Sequence, residues 1–312
     1  MASAAEAGAL GGGRGAGPVS PITAHAICLG LVALDFLVRA WRIQWIMGGL
    51  GSRLPLRDAF VLNAFGDAAN ALTPLRLGGE PARVAGMLRS GVRLTPTLVG
   101  ITLEAVVSRL ALITVAAWLI WQYAPAWWVT AGPSLRAGAA SAWPWIVLVL
   151  IAGVLLWRYT RRAVAPATRR LRRPMRRVLV YLRRMPRWPL VASIPLSAIA
   201  VATRIAILPV LILTLPSPPP LGPVIFGSFA LLYSQMVLPT PSGAGVVELG
   251  FLGGAAGELG EGQGWILLAW RFYTNGLGVL LGVWLAVSIY GWPTLRKVLR
   301  GKAAPLTEQP DA

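Results

Sequence analysis

Ionisable side chains occur inside several long apolar stretches of this sequence, where a charge is costly and therefore a candidate for function. Four are arginines, whose planar guanidinium can bind two phosphate oxygens at once, and five are carboxylates that could pair with them. Asp35 could pair with Arg39 one helical turn away, whereas Arg204 lies mid-stretch and cannot easily reach water. The full set is Asp35, Asp67, Arg76, Glu80, Glu104, Arg109, Arg204, Glu248 and Arg271.

The residue patterns of common enzyme sites are missing from the sequence. It has no G-x-x-x-x-G-K-[ST] motif, so ATP hydrolysis by this chain alone is not expected. Ser242 has no histidine nearby to act as its base, and the single histidine, His25, is interpreted as a helix-end residue. The single cysteine, Cys28, excludes an intramolecular disulfide and a multi-thiolate metal site. We therefore expect no catalytic residue, no metal and no cofactor.

The composition is that of a protein built into a membrane. Of the 312 residues, 56% are hydrophobic and only 13% are charged, about half the usual share for soluble domains. The net charge of +18 is carried almost wholly by arginines between apolar stretches, which favours anionic lipid as the partner over nucleic acid. Residues 1–20 are rich in glycine and alanine and are predicted to be disordered.

The elements that must position these charges are membrane helices. Five stretches are long enough to cross a bilayer: about 22–48, 94–121, 142–159, 189–214 and 264–290. Two others, 58–90 and 221–257, contain Pro/Gly clusters and are predicted to be re-entrant pairs of half-helices. With this assignment nearly all loop arginines fall on one side, which places the N-terminus outside and the C-terminus in the cytoplasm. Complete two-span hairpins would give the same charge pattern, so re-entrance depends on the Pro/Gly breaks.

The two broken stretches are related in sequence. Residues 56–83 align without a gap to residues 221–248, which pairs Pro74 with Pro239, Gly78 with Gly243 and Asn70 with Gln235. Each stretch follows one crossing and precedes another. Since the charge pattern makes them enter from opposite sides, we predict an inverted repeat, with repeat one at about 22–121 and repeat two at about 189–290.

The second break, "LPTPSGAGVVE" at 238–248, cannot continue a helix. Its tip would present backbone amides at the start of the next half-helix, a favourable place for an anion. The alternative is a simple tight turn at the outer interface. We expect Gly243 and Gly245 to turn the backbone closely. Glu248 should lie in the first turn of the following helix and pair with Arg271.

The segment 158–187 holds twelve arginines and no acidic residue. Apolar residues on one face of it indicate a basic helix lying on the membrane surface. It could dock to anionic lipid, or it could serve only to set the topology. The arginines predicted to contact the anionic leaflet are Arg169, Arg170, Arg172, Arg173, Arg176 and Arg177.

Four stretches together resemble the lysylphosphatidylglycerol synthase transmembrane-region family, which is also called flippase-like. They are "RAWR", "NAFGDAANALTPLRLGGEPAR", "LPTPSGAGVVELG" and "LLAWRFYTNGLGVLLG", within about 35–290. The resemblance implies a lipid translocase-like membrane domain, which in multidomain members is linked to flipping of an aminoacylated phospholipid. Two features depart from the family: another span commonly precedes "RAWR", and Ser108-Arg109 stands where a Glu-Arg pair is common. The soluble aminoacyl-transfer domain is not seen, so synthase activity is not implied.

We therefore expect an all-α polytopic protein with five crossing helices, two re-entrant hairpins, one membrane domain at 21–292 and a cytoplasmic tail at 293–312. The expected function is movement of an anionic or phosphate-bearing lipid across the cytoplasmic membrane. The alternatives are a membrane scaffold or accessory subunit for a lipid-modifying or glycosyl-transfer enzyme, and an intramembrane enzyme, which the lack of bases disfavours. Transport requires Arg204, Arg271, Glu80 and Glu248 to face one cavity. The candidate site residues are Arg76, Gly78, Glu80, Arg109, Arg204, Gly243, Gly245, Glu248 and Arg271.

Overall fold

The computed structural model describes residues 17–123, 185–236, 240–254 and 262–290, together with 147, 151, 180 and 181. Over these residues the regular secondary structure is entirely helical. The α-helices are α1 (Pro21–Gly49), α2 (Leu56–Leu72), α3 (Gly79–Arg89), α4 (Leu94–Tyr123), α5 (Trp188–Ile212), α6 (Leu221–Ser234), α7 (Val246–Gly254), α8 (Gln263–Arg271) and α9 (Leu277–Tyr290). Short 3₁₀ turns occupy Pro74–Arg76 and Pro241–Gly243, and a π-helical turn, Phe272–Gly276, joins α8 to α9.

Four of these helices are long and apolar enough to cross a membrane: α1, α4, α5 and the continuous stretch Gln263–Ile289. They coincide with four of the five predicted crossings. The fifth, at 142–159, and the basic segment with its arginines at 169–177 lie outside the described residues. The chain is therefore an α-helical protein with several membrane-length helices, and the number and direction of its crossings remain predictions.

The chain divides into two compact units. The first comprises residues 1–41, 55–91 and 202–312, and the second comprises 42–54 and 92–201. The second unit contains a buried ion pair, in which Arg42 Nη2 lies 2.5 Å from Glu104 Oε1 and Arg42 Nη1 donates to Ser197 Oγ at 2.9 Å. Glu104 is thus paired with an arginine of the "RAWR" stretch, which the sequence analysis did not predict.

Both broken stretches belong to the first unit, and each forms a pair of helices joined by a short loop. We call α2, α3 and their loop hairpin one (56–89), and α6, α7 and their loop hairpin two (221–254). In hairpin one, α2 packs closely along α9. A methyl group added at Gly282 of α9 would overlap the backbone of Ala64 and the side chain of Ala68. Small residues four apart on both helices thus allow the close approach that is common between membrane helices.

The loops of the two hairpins have the same local conformation, but in a register that differs from the predicted alignment. Thr73-Pro74 corresponds to Thr240-Pro241, which places Pro74 opposite Pro241 and not opposite Pro239. In each loop the threonine carbonyl oxygen accepts a hydrogen bond from the backbone N–H three residues later. The next helix begins six residues after the threonine in both hairpins. Counted from the first residue of the first helix, Leu56 or Leu221, the Thr-Pro step comes two residues later in hairpin two, so an ungapped alignment misses the match.

Left-handed backbone at equivalent positions reinforces this match. Leu75 and Arg76 have φ of 54° and 56°, and Ser242 and Gly243 have φ of 51° and 66°. Two consecutive left-handed residues are costly for side chains other than glycine, and such strain is characteristic of functional loops. Gly245 also has a positive φ of 86°. The expectation that Gly243 and Gly245 let the chain turn closely is confirmed.

Candidate functional site

A ring of four charged side chains lies inside the first unit. Arg39 of α1 contacts both Asp35 and Asp67, with Nη2 2.8 Å from one oxygen of each. Arg204 of α5 closes the ring, with Nη2 3.0 Å from Asp35 Oδ2 and 3.3 Å from Asp67 Oδ2. The two carboxylates and two guanidiniums balance in charge, which is the condition for keeping such groups out of water. One oxygen, Asp35 Oδ1, is buried and has no hydrogen-bond partner in the described part of the chain.

A small cavity adjoins the ring. Its volume is about 10 Å³, room for about one water molecule. Among the four residues expected to face a common cavity, only Arg204 lines this one. Glu80 is exposed, and Glu248 and Arg271 contact each other beside the loop of hairpin two. The cavity lining consists of Leu31, Val32, Asp35, Phe36, Asp67, Arg204, Ile207, Tyr273, Thr274 and Gly278.

Arg76, from the loop of hairpin one, extends the charged region towards hairpin two. It interacts electrostatically with Asp67 and Arg204 of the ring. Its Nη1 donates to Gln235 Oε1 at 3.0 Å, and Gln235 lies at the end of α6 with no solvent exposure. Asn275 of the π-helical turn also approaches Gln235 Oε1, at 3.5 Å. Arg76 of hairpin one and Asn275 of the last span therefore both donate to the same side-chain oxygen of Gln235 in hairpin two.

The two loops contact each other directly. Ser242 Oγ of hairpin two donates to the Ala71 carbonyl oxygen of hairpin one at 3.2 Å. Arg271 Nη1 donates to the Ser242 carbonyl oxygen at 3.0 Å. Because these bonds occupy polar groups of interrupted backbone, each loop depends on partners outside its own hairpin.

Glu248 forms the ion pair that the sequence predicted. Its Oε1 lies 2.5 Å from Arg271 Nη2, and its Oε2 accepts from the Gly245 N–H at 2.7 Å. The carboxylate therefore occupies the positive end of α7 and binds an arginine of the last span at the same time. The Glu248 side chain is 33% exposed, against 15% for Arg271, and Arg271 Nε is buried without a hydrogen-bond partner among the described residues.

Hairpin one is capped by its own side chains. Asn70 Oδ1 accepts from the Gly79 N–H at 2.9 Å. Thr73 Oγ1 donates to the Ala69 carbonyl oxygen and accepts from the Gly78 N–H, both at 2.8 Å. Gly78 is required there because a methyl group would overlap Thr73 and the Ala69 carbonyl oxygen.

The remaining candidate, Arg109, belongs to the second unit, and its side chain is exposed. Sequence reasoning missed Gln235 and Asn275 as members of the site, because it considered ionisable residues and treated amides in apolar segments as ordinary. It also missed the π-helical turn, which places Tyr273 and Thr274 against the cavity. The polar run Thr274-Asn275 between apolar residues was the available signal, since π turns often occur at functional sites.

Comparison with known proteins identifies the family of the chain. The family model described as "Lysylphosphatidylglycerol synthase TM region" matches residues 21–282, which include both hairpins and the whole charged region. No curated protein and no solved structure matched the chain. The extent of the family match, together with the membrane-length helices, shows that this chain is a multi-pass membrane protein and belongs to the lysylphosphatidylglycerol synthase transmembrane-region family, which relates it to lipid-modifying and flippase-like functions.

Proposed function

We propose that this protein is a translocase that moves an anionic, phosphate-bearing lipid across the cytoplasmic membrane. The observation that carries the proposal is the junction of the two loops, where Arg76 and Arg271 are bound by acceptors that a phosphate could replace. Arg76 is held by a neutral amide, and Arg271 is held by a backbone carbonyl oxygen and a partly exposed carboxylate. An anionic phosphate oxygen accepts a stronger bond from arginine than a neutral amide or carbonyl oxygen does.

The charge of this region suits a single phosphodiester. Four arginines, Arg39, Arg76, Arg204 and Arg271, face three carboxylates, Asp35, Asp67 and Glu248. The resulting excess of one positive charge is expensive in an apolar environment and is cancelled by one phosphate monoanion. The lipid tails would remain in the bilayer while the headgroup passes the loops.

The proposed topology has five crossings, with hairpins one and two entering from opposite sides as an inverted repeat and with the N-terminus outside. The arginine distribution between the apolar stretches supports this arrangement. The mutual hydrogen bonding of the loops supports it as well, because irregular backbone at membrane depth needs partners within the protein.

The proposed mechanism begins with the Glu248–Arg271 pair. An arriving phosphate binds Arg271 and displaces Glu248, which releases hairpin two from the last span. Opening is necessary because the cavity beside the ring holds about one water and cannot admit a headgroup. Hairpin one, tied to Arg39 and Arg204 through Asp67, stays in place.

Reconstitution tests this proposal. Liposomes with the full-length protein receive phosphatidylglycerol carrying a fluorescent headgroup-side label, and a membrane-impermeant quencher reports the fraction that has crossed. Labelled lipid should cross faster in liposomes with the wild-type protein than in protein-free liposomes. Arg271→Gln should reduce this rate at least about tenfold, since a charge-assisted contact is lost. Arg93→Gln, an equal change of charge at an exposed position, should transport normally.

Two outcomes contradict the proposal. Wild type that moves no more lipid than empty liposomes would favour the scaffold function, and full transport by Arg271→Gln would refute the role of the ion pair. Glu248→Gln sharpens the test because it removes the competing carboxylate. It should bind phosphatidylglycerol more tightly while leaving the protein folded.

A further inference from the structure

The amide of Gln235 lies where donors from two other elements converge. Arg76 Nη1 approaches its Oε1 from hairpin one, and Asn275 Nδ2 approaches the same atom from the π-helical turn. A cationic donor and an amide donor around a single acceptor oxygen also suit one oxygen of a phosphodiester. The side chain is completely buried, so water does not compete for this position.

A comparison with hairpin one shows that Gln235 is not needed for capping. Asn70, which the ungapped sequence alignment pairs with Gln235, binds the N–H of Gly79 and so caps the following helix of its own hairpin. Gln235 does not bind its own hairpin's second helix, where Glu248 caps Gly245. Among the described residues of its own hairpin, its amide nitrogen makes only a long bond of 3.4 Å, to the Leu231 carbonyl oxygen.

We propose that Gln235 Oε1 is an internal substitute for a lipid phosphate oxygen, and that Gln235 thereby sets the affinity of the Arg76–Asn275 subsite for phosphate. This inference rests on the proposed function and adds a subsite and a specificity-determining residue to it. In the resting protein the amide accepts from both donors, which avoids leaving the partly buried Arg76 unpaired. When a phosphate arrives, it takes the donors from the amide, because an anionic oxygen accepts a stronger bond from arginine than a neutral amide oxygen does.

Substitutions of buried residues usually weaken ligand binding, whereas removal of the Gln235 acceptor should strengthen the binding of phosphate. Gln235→Met conserves length and removes the acceptor, so Arg76 would be left without its partner and would bind phosphate more tightly. Gln235→Glu places a permanent anion in the subsite and should exclude phosphate. A purely structural role predicts weaker binding for both variants, because both disturb a buried site.

The test uses the full-length protein in maltoside micelles, which contain no phosphate. Dihexanoyl phosphatidylglycerol, inorganic phosphate and phosphate-free dihexanoylglycerol are titrated separately, with calorimetric binding and thermal unfolding as readouts. Gln235→Met should bind the phospholipid about tenfold more tightly than wild type, in line with the loss of one competing charge-assisted bond. In the absence of ligand, the unfolding midpoint of Gln235→Met should be lower than that of wild type. On addition of the phospholipid, its midpoint should rise by more than that of wild type does. Gln235→Glu should bind about tenfold more weakly.

Controls separate this inference from the proposed function. Asn70→Ala, at the position that the ungapped sequence alignment pairs with Gln235, should not tighten binding. Arg76→Gln should weaken binding in both the wild-type and Gln235→Met backgrounds. Inorganic phosphate binding in the same order of variants identifies phosphate itself as the ligand, whereas dihexanoylglycerol should show no such order. Weaker phospholipid binding by Gln235→Met than by wild type overturns the inference alone. If no phosphate compound binds to wild type, Gln235→Met or Arg76→Gln, the proposed function is overturned as well.

Discussion

The two hairpins share a loop conformation but differ in what holds them. Hairpin one is capped by Asn70 and Thr73, and Asp67 anchors it to two arginines of other helices. Hairpin two is capped by Glu248, whose other oxygen is bound by Arg271. Its first helix, Leu221–Ser234, contains no carboxylate that could play the part of Asp67. In the proposed mechanism this difference gives the two hairpins separate roles: hairpin one is the fixed anchor, and hairpin two is the gate that an anion releases.

Removing the anchor should have the largest effect. Asp67→Asn leaves Arg39 and Arg204 with one carboxylate between them, and breaking a buried ion pair costs about 3–5 kcal/mol. We expect a large loss of folded protein, measured as the yield of monodisperse protein in maltoside and as a lower unfolding midpoint. Asp58→Asn makes the same chemical change in the first turn of α2 and should have little effect. Equal stability of Asp67→Asn and wild type would show that hairpin one is not anchored by its charge.

Close packing of hairpin one gives a second contrast. Gly86 of α3 and Gly253 of α7 are equivalent positions, seven residues beyond the start of each helix. A methyl group at Gly86 would overlap the buried Leu62, whereas one at Gly253 meets nothing within 4 Å among the described residues. Gly86→Ala should therefore cost about 1–3 kcal/mol of unfolding free energy, and Gly253→Ala should gain about 0.5–1 kcal/mol from helix propensity. Thermal unfolding of the two variants side by side measures the difference. If both variants changed stability in the same direction, the two glycines would not differ in packing as described.

The smallest expected effect concerns the two loop threonines. Thr73 Oγ1 makes two hydrogen bonds, while the equivalent Thr240 Oγ1 is buried without a partner in the described part of the chain. Thr73→Val should lower the unfolding free energy by about 1 kcal/mol, and Thr240→Val should be neutral or slightly stabilising. Chemical denaturation in mixed micelles can resolve the pair. A loss at Thr240 comparable to that at Thr73 would mean that hairpin two is capped in the same way.

Much of this architecture was predictable because it follows from strong local signals. Apolar length marked four helices, the Pro-x-x-x-Gly breaks marked both loops, and the position of Glu248 in the first turn after a glycine-rich loop indicated its pairing with Arg271. These features depend on residues close in sequence or on the high cost of a lone charge in an apolar segment.

Features that depend on three-dimensional packing were not predictable in the same way. Arg39 was expected to pair with Asp35 one turn away, yet it also binds Asp67, because α1 and α2 are brought together by tertiary contacts. The partners of Gln235 come from two distant parts of the chain. The two-residue shift between the hairpins was hidden because the ungapped alignment pairs Pro74 with Pro239, and the backbone conformation was needed to show that the Thr-Pro steps at 73–74 and 240–241 correspond.

The central claim is that phosphate releases hairpin two and leaves hairpin one in place, and distance measurement by electron paramagnetic resonance tests it most directly. Leu77 and Ala244 are exposed residues at equivalent positions of the two loops. In a protein with Cys28 replaced by alanine, cysteine pairs are introduced for spin labelling, either at 77 and 280 or at 244 and 280, where Leu280 is an exposed residue of α9. On addition of dihexanoyl phosphatidylglycerol in maltoside, we expect the 244–280 distance to lengthen while the 77–280 distance stays constant, and dihexanoylglycerol should change neither. Arg271→Gln should show the longer 244–280 distance without ligand. Constant distances for both pairs, or equal changes in both, would contradict the account.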